Sequence, residues 1–224
     1  MPATIGCDAH KQFSVFVTID GKGRTSPAVR VEHHRQEYID YLRSLPPASE
    51  IALEATGHWY WMVDEMEKAG HRPHLANPTE AKKRMGKSNK TDALDAKGLA
   101  ILLHNGTLPE SWIPPGELRD RRELLRTRMA LRDLRSSLKH RIHAAIDRYG
   151  LQATGISDLF GVKGRVYIDA VLDKLPCDTA AMIRVQLTSL DQLEVQLEEI
   201  EERIALALKP SPEVKLLRTV PGIG

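Results

Sequence analysis

A chain of 224 residues, 42% hydrophobic and 28% charged, has the composition of a folded protein and falls outside the disordered, collagen-like and disulfide-scaffold classes. Its two cysteines, Cys7 and Cys177, stand far apart and outside any metal-type pair, which argues against a structural zinc site and fits a reducing cytoplasm. No apolar run approaches the roughly 18 residues of a membrane helix, and no signal peptide follows Met1.

The first half reads as an α/β domain. Residues 3–8 and 13–19 are short β-rich runs joined by a tight connection, and Asp20-Gly21-Lys22-Gly23 is a hairpin-type turn leading to a third strand over 27–33. Tyr38, Ile39, Tyr41, Leu42 and Leu45 mark an amphipathic helix that Pro46-Pro47 ends. Residues 50–54 read as a buried strand. Thr56 is the expected cap of the next helix, which Gly70 stops. A strand over 71–76, a helix opened by Pro78, and a helix over about 92–105 capped by Thr91 complete the pattern. Three hairpin-linked strands followed by alternating helices and strands predict a mixed sheet with flanking helices.

The second half reads as helical. Pro109, Pro114, Pro115 and Gly116 form a linker. Leu124, Thr127, Leu131, Leu134, Leu138, Ile142, Ala145 and Tyr149 then recur at heptad-like steps, as do Leu190, Leu193, Leu197, Ile200, Ile204 and Ala207. These stripes predict an α-helical coiled-coil region that can pair within the chain or exchange between copies, and a dimer or higher homo-oligomer is the expected arrangement. Residues 151–175 read as a helical tip or short subdomain. The net charge of +2 hides opposed blocks: residues 1–112 balance at 14 basic and 14 acidic, 113–150 carry 10 basic and 5 acidic, and 176–208 carry 2 basic and 7 acidic. The basic block is either a solvated helix or an electrostatic footprint for nucleic acid.

Four carboxylates stand where chemistry can use them. Asp8 closes the first strand and Glu54 the fourth; Asp92 and Asp95 open a helix at i and i+3, on one face. If the first and fourth strands are neighbours, their C-terminal ends bring Asp8 and Glu54 together, and a helix beside them adds the other two. Such a group calls for a hard cation, Mg²⁺ or Mn²⁺, and two ions about 4 Å apart would clamp a phosphodiester. Taken singly, each acid also has a structural reading as a turn cap, a solvated strand end or a helix N-terminal charge. The run 82–90, with Lys82, Lys83, Arg84, Lys87 and Lys90, reads as a cationic loop that would hold a phosphate backbone near the ions. Arg121, Arg122, Arg128, Arg132, Arg135 and Lys139 are the corresponding candidates on the basic helix. His10 and Lys11 are placed to touch phosphate, the His33-His34 pair reads as surface, and Trp59 and Trp61 are expected to pack on the sheet.

The segments GCDAHK (6–11), LEATGHW (53–59) and NKTDALDAKGLA (89–100) together resemble the DEDD transposases of the IS-one-ten insertion-sequence family, relatives of pilin-gene DNA invertases. The resemblance implies a RuvC-like, ribonuclease-H-type catalytic domain over 1–112, with Asp8, Glu54, Asp92 and Asp95 as catalytic metal ligands. A helical region over 113–210 would follow. LLRTVPGIG (216–224) resembles the opening of the family's second conserved domain, so 211–224 is expected to be the start of a truncated region that in the family supplies a serine nucleophile. The resemblance further implies DNA strand cleavage and transfer in the prokaryotic cytoplasm, in association with the nucleoid. It also implies a structured non-coding guide RNA as partner. Two other readings are an RNA- or DNA-binding dimerisation module without catalysis and a ribonuclease-H-type junction nuclease.

Overall fold

The computed structural model describes residues 2–86, 91–208 and 212–223, which divide into two compact units meeting between Ile113 and Pro114. The first unit is built on strands β1 (Thr4–Ala9), β2 (Phe13–Ile19), β3 (Val29–Glu32), β4 (Glu50–Glu54), β5 (Arg72–Ala76) and β6 (Glu110–Ser111). They form one mixed sheet in the order β3-β2-β1-β4-β5-β6. β1, β2 and β3 pair antiparallel, as the Asp-Gly turn predicts, while β4 and β5 run parallel to β1. This is the mixed, helix-flanked sheet of a RuvC-like α/β fold.

Side-chain alternation assigns the two faces. Ile5, Cys7, Phe16, Ile51, Leu53 and Leu75 point to one face, where α1 (Arg35–Ser44) and α2 (Trp59–Lys68) cover them with Tyr38, Leu42, Met62, Val63 and Met66. Trp59 and Trp61 pack against this core. Val15, Val17, Ala52 and Ala76 point to the other face, under α3 (Pro78–Met85) and α4 (Asp92–His104). Small residues on that face let α4 sit low. A Cβ on Gly6 would lie 1.9 Å from the Ala96 carbonyl oxygen and 2.6 Å from the Ala100 nitrogen, so only glycine allows this approach.

Local details depart from the sequence reading in four places. Thr56 does not cap α2: its N–H donates to the Glu54 carbonyl and its own carbonyl accepts from Trp59, so a turn consumes 56–58 before the helix starts. β6 lies inside what reads as a linker; two residues pairing with β5 leave no periodic signal. Lys82, Lys83 and Arg84 belong to the last turn of α3 rather than to a loop, because Asn77 caps that helix through Thr79 and Glu80 and it runs on to Met85. His33 is not a plain surface residue: its Nε2 shares a 2.8 Å hydrogen bond with Ser14 Oγ, and its ring meets Trp61 edge-on.

The second unit is helical: α5 (Gly116–Asp147), α6 (Val162–Leu172), α7 (Cys177–Ala207) and α8 (Pro212–Leu217). Ile142, Ala145 and Ile146 of α5 pack with Ile168, Val171 and Leu172 of α6 and with Ala180, Ile183 and Leu187 of α7. Farther along, Arg128 pairs with Glu201 at 2.7 Å, and Arg135 with Glu194 at 3.0 Å. Seven residues forward on α5 are thus seven back on α7, which makes the pair antiparallel. Lys139 adds a 3.7 Å contact to Glu194. The basic and acidic blocks therefore meet within one chain. The expected heptad seam is only partly buried, since Leu190 and Leu197 are inside while Leu134 is 56% exposed. Along this stretch α7 is the helix that covers α5 among the described residues, and a 3.6-residue repeat carries Leu134 out of that contact. No helix among the described residues is long and apolar enough to cross a membrane.

Candidate functional site

The site forms at the C-terminal edge of the two central parallel strands. β1 and β4 pair in the register Thr4↔Glu50 through Cys7↔Leu53, so one further step sets Asp8 beside Glu54. Both fall on the same alternation face as Gly6 and Ala52, the face that α4 covers. α4 begins there because Thr91 Oγ1 accepts from the Leu94 N–H at 3.3 Å, and Asp92 and Asp95 occupy its first turn, where the helix dipole favours negative charge. The low seat of α4 over Gly6 brings that turn down to the end of β1.

The three-residue return between β1 and β2 completes the arrangement. The His10 N–H donates to the Phe13 carbonyl at 2.9 Å, closing the turn, and the imidazole stacks on the Phe13 ring with centroids 4.5 Å apart. This fixes His10 Nε2 at 3.0 Å from Asp8 Oδ2 and 3.4 Å from Asp92 Oδ1. One donor atom from each of Asp8, His10 and Asp92 lies within 4.8 Å of the others, a spacing that one cation could bridge. Asp8 is 16% exposed at its side chain and Asp92 48%, so the group opens outward through Asp92. Burial raises the Asp8 carboxyl above its ordinary value; the hydrogen-bonded His10 opposes that shift, and the charges of Asp95 and Asp92 add to it. A carboxylate that burial and like charges disfavour is one that a bound cation would stabilise, and the oxygen-rich donor set suits a hard divalent ion. The residues present therefore fit such a group.

Of the four acids singled out in the sequence, Asp8 and Asp92 share the cluster, Asp95 is close enough to act on Asp8, and Glu54 is one strand over in register. The sequence places His10 only as a phosphate contact. Its place between two carboxylates depends on the turn and on the position of α4, neither of which the local sequence displays.

The basic candidates divide. Lys83 is paired with Glu80 at 2.7 Å, Arg84 donates to the Thr107 carbonyl, and Lys82 is exposed; Lys87 and Lys90 lie outside the described residues. On α5, Arg128, Arg135 and Lys139 face α7, Arg121 pairs with Glu117, and Arg132 pairs with the adjacent Asp133 at 3.3 Å. Arg122 is exposed and has no ion pair among the described residues.

The family model for DEDD transposases of the IS110 type, described as "Transposase", matches residues 5–151, which include the sheet from Ile5 onward and the acid cluster. The chain is 26% identical to a "Probable family 20 transposase" of Pseudomonas aeruginosa, over 98% of this chain and 64% of that protein. It is 24% identical to a "Transposase for insertion sequence element IS1111A" of Coxiella burnetii, over 98% of this chain and 59% of that protein. The chain thus spans about three fifths of the length of these curated relatives. A match over well more than half of the chain means that it belongs to the IS110 family of transposases.

Proposed function

We propose that this chain carries the metal-dependent catalytic domain of a DNA strand-transfer enzyme, with Asp8, Glu54, Asp92 and Asp95 as the ligands of Mg²⁺ or Mn²⁺. The observation that supports it best is the approach of Asp8, from a central strand, and Asp92, from a helix start, to within reach of one ion. Bound there, divalent ions would supply Lewis-acid stabilisation of the attacking and leaving oxygens of a phosphodiester. The chain's own contribution is positional: the β1–β4 register aligns two carboxylates, and Gly6 seats α4 so that its first turn adds two more.

Nucleic acid would dock through phosphates, with Lys82, Lys83, Arg84, Lys87 and Lys90 as one candidate set and the outward face of α5 as a second. DNA is the reacting partner, and a structured non-coding guide RNA is the further partner. On α5, Arg122 is the strongest candidate, because Arg128, Arg135 and Lys139 already pair with Glu201 and Glu194, and Arg121 and Arg132 with Glu117 and Asp133. Pairing of two chains along the α5–α7 hairpin, whose Leu134, Leu138 and Leu193 line a shallow groove, would set two catalytic domains on one DNA substrate.

Recombination by the full-length protein tests this reading. Asp8→Ala and Asp92→Ala should each abolish strand transfer in Mg²⁺ or Mn²⁺ while nucleic-acid affinity changes little. Full activity in either variant would reject the acid site. Binding that barely weakens between low and moderate salt would reject the phosphate contacts, which require a steep dependence.

A further inference from the structure

We propose that His10 is a third ligand of the cation held by Asp8 and Asp92, and that its nitrogen biases the site toward Mn²⁺ over Mg²⁺. The inference rests on the metal-site reading above and deepens it. Asp8 Oδ2 and Asp92 Oδ1 are 3.0 and 3.4 Å from the same atom, His10 Nε2, so the imidazole edge faces the space between the two carboxylates. Among the described residues these three form the group whose donor atoms all lie within 4.8 Å.

The imidazole is also held for that place. The turn hydrogen bond from the His10 N–H to the Phe13 carbonyl fixes the backbone. The stack on Phe13, tilted by 26°, fixes the ring plane. On Phe13 in turn rests the Arg30 guanidinium, 3.5 Å from the ring centroid and tied to Glu32 at 2.7 Å. A side chain with one edge packed and one nitrogen presented between two carboxylates has the properties of a preorganised ligand.

The donor set then determines the preference. Oxygen-only sites suit Mg²⁺, which demands near-octahedral oxygen geometry and gives up water reluctantly. Imidazole nitrogen suits first-row transition ions, and two carboxylates with one imidazole form a mixed N/O set in which Mn²⁺ gains and Mg²⁺ does not. To serve as a ligand, His10 would present Nε2 unprotonated, with the ring proton held on Nδ1.

The test is Mn²⁺ binding by the whole chain, read by electron paramagnetic resonance, with Mg²⁺ as competitor and no activity assay. Wild type should show ¹⁴N modulation of the Mn²⁺ echo. His10→Ala should lose that modulation and bind Mn²⁺ at least about tenfold more weakly, since even outer-shell partners of a metal site are worth roughly 10–100-fold. Its Mg²⁺ affinity should change by less than about threefold, that is, by less than one such step. Should His10→Ala prove unfolded by thermal melt, His10→Asn replaces it, and the wild-type nitrogen signal stands independently of either. Saturable Mn²⁺ binding that Asp8→Asn abolishes, but that lacks nitrogen modulation in wild type, would overturn the role of His10 and leave the acid site intact. No saturable binding of either ion by wild type would overturn both.

Discussion

Gly6 is the position at which one methyl group should separate the fold from the site. The Cβ of alanine would stand 1.9 Å from the Ala96 carbonyl oxygen and 2.6 Å from the Ala100 nitrogen. Both are helix backbone, so no side-chain rotation relieves the contact. To reach an ordinary separation of about 3.4 Å, α4 must retreat from β1 by roughly 1.5 Å, a strain typical of overpacked cores and worth about 1–3 kcal/mol. For a unit of this size the melting temperature should fall by about 4–12 °C, at roughly 4 °C per kcal/mol. The same retreat lifts Asp92 and Asp95 away from Asp8. Because metal sites tolerate only about 0.2 Å in ligand distance, Mn²⁺ affinity should drop more than the stability loss alone implies. Gly98→Ala is the matched control. Its Cβ meets only the flexible side chain of Met85, the sulfur at 2.3 Å and Cγ at 2.9 Å. Once Met85 swings aside, replacing a mid-helix glycine should cost nothing or gain about 0.5–1 kcal/mol. Thermal melts and Mn²⁺ titrations on the two variants decide the matter. If Gly6→Ala keeps wild-type stability and metal affinity, the close seat of α4 is not what assembles the site.

Three further outcomes follow from particular contacts. Asp8→Asn should raise the melting temperature in metal-free buffer at neutral pH: its folded carboxyl is raised chiefly by burial, so the folded state loses stability as pH climbs above the ordinary carboxylate value, and the amide removes that loss. An unchanged or lower melting temperature, with the fold intact by circular dichroism, would contradict this. Glu65, nearly buried, is held below the ordinary value of 4.5 by hydrogen bonds from Arg35 and Lys68; its contribution is complete above that pH and is lost as pH falls below it. Acid titration of stability in wild type and Glu65→Gln should therefore converge at low pH, and parallel curves would contradict the assignment. In the helical unit, Ile168→Ala should cost about 2–5 kcal/mol in urea unfolding, because Ile168 is fully buried, while Val166→Ala, 66% exposed, should stay within about 0.5 kcal/mol.

Local pattern was enough for much of this protein. β-rich runs at 3–8 and 13–19 and the buried run at 50–54 place β1, β2 and β4, and Pro78 and the cap Thr91 open α3 and α4, because these signals act over a few residues and are written in the residues themselves. The opposed charges of the two long helices also forecast their pairing, since Arg128, Arg135, Glu194 and Glu201 recur at the same seven-residue spacing. Long-range packing decided the rest. That β1 and β4 are parallel neighbours, and hence that Asp8 and Glu54 share an edge, depends on how the sheet closes over residues more than forty apart. Whether Leu134 is buried depended on how many helices surround α5, a number no heptad states. His10, which the sequence places as a phosphate contact, becomes a partner of two carboxylates only when α4 comes to rest on Gly6, for the distance between a strand end and a helix start is set by the backbone contact between them and is encoded in neither segment alone.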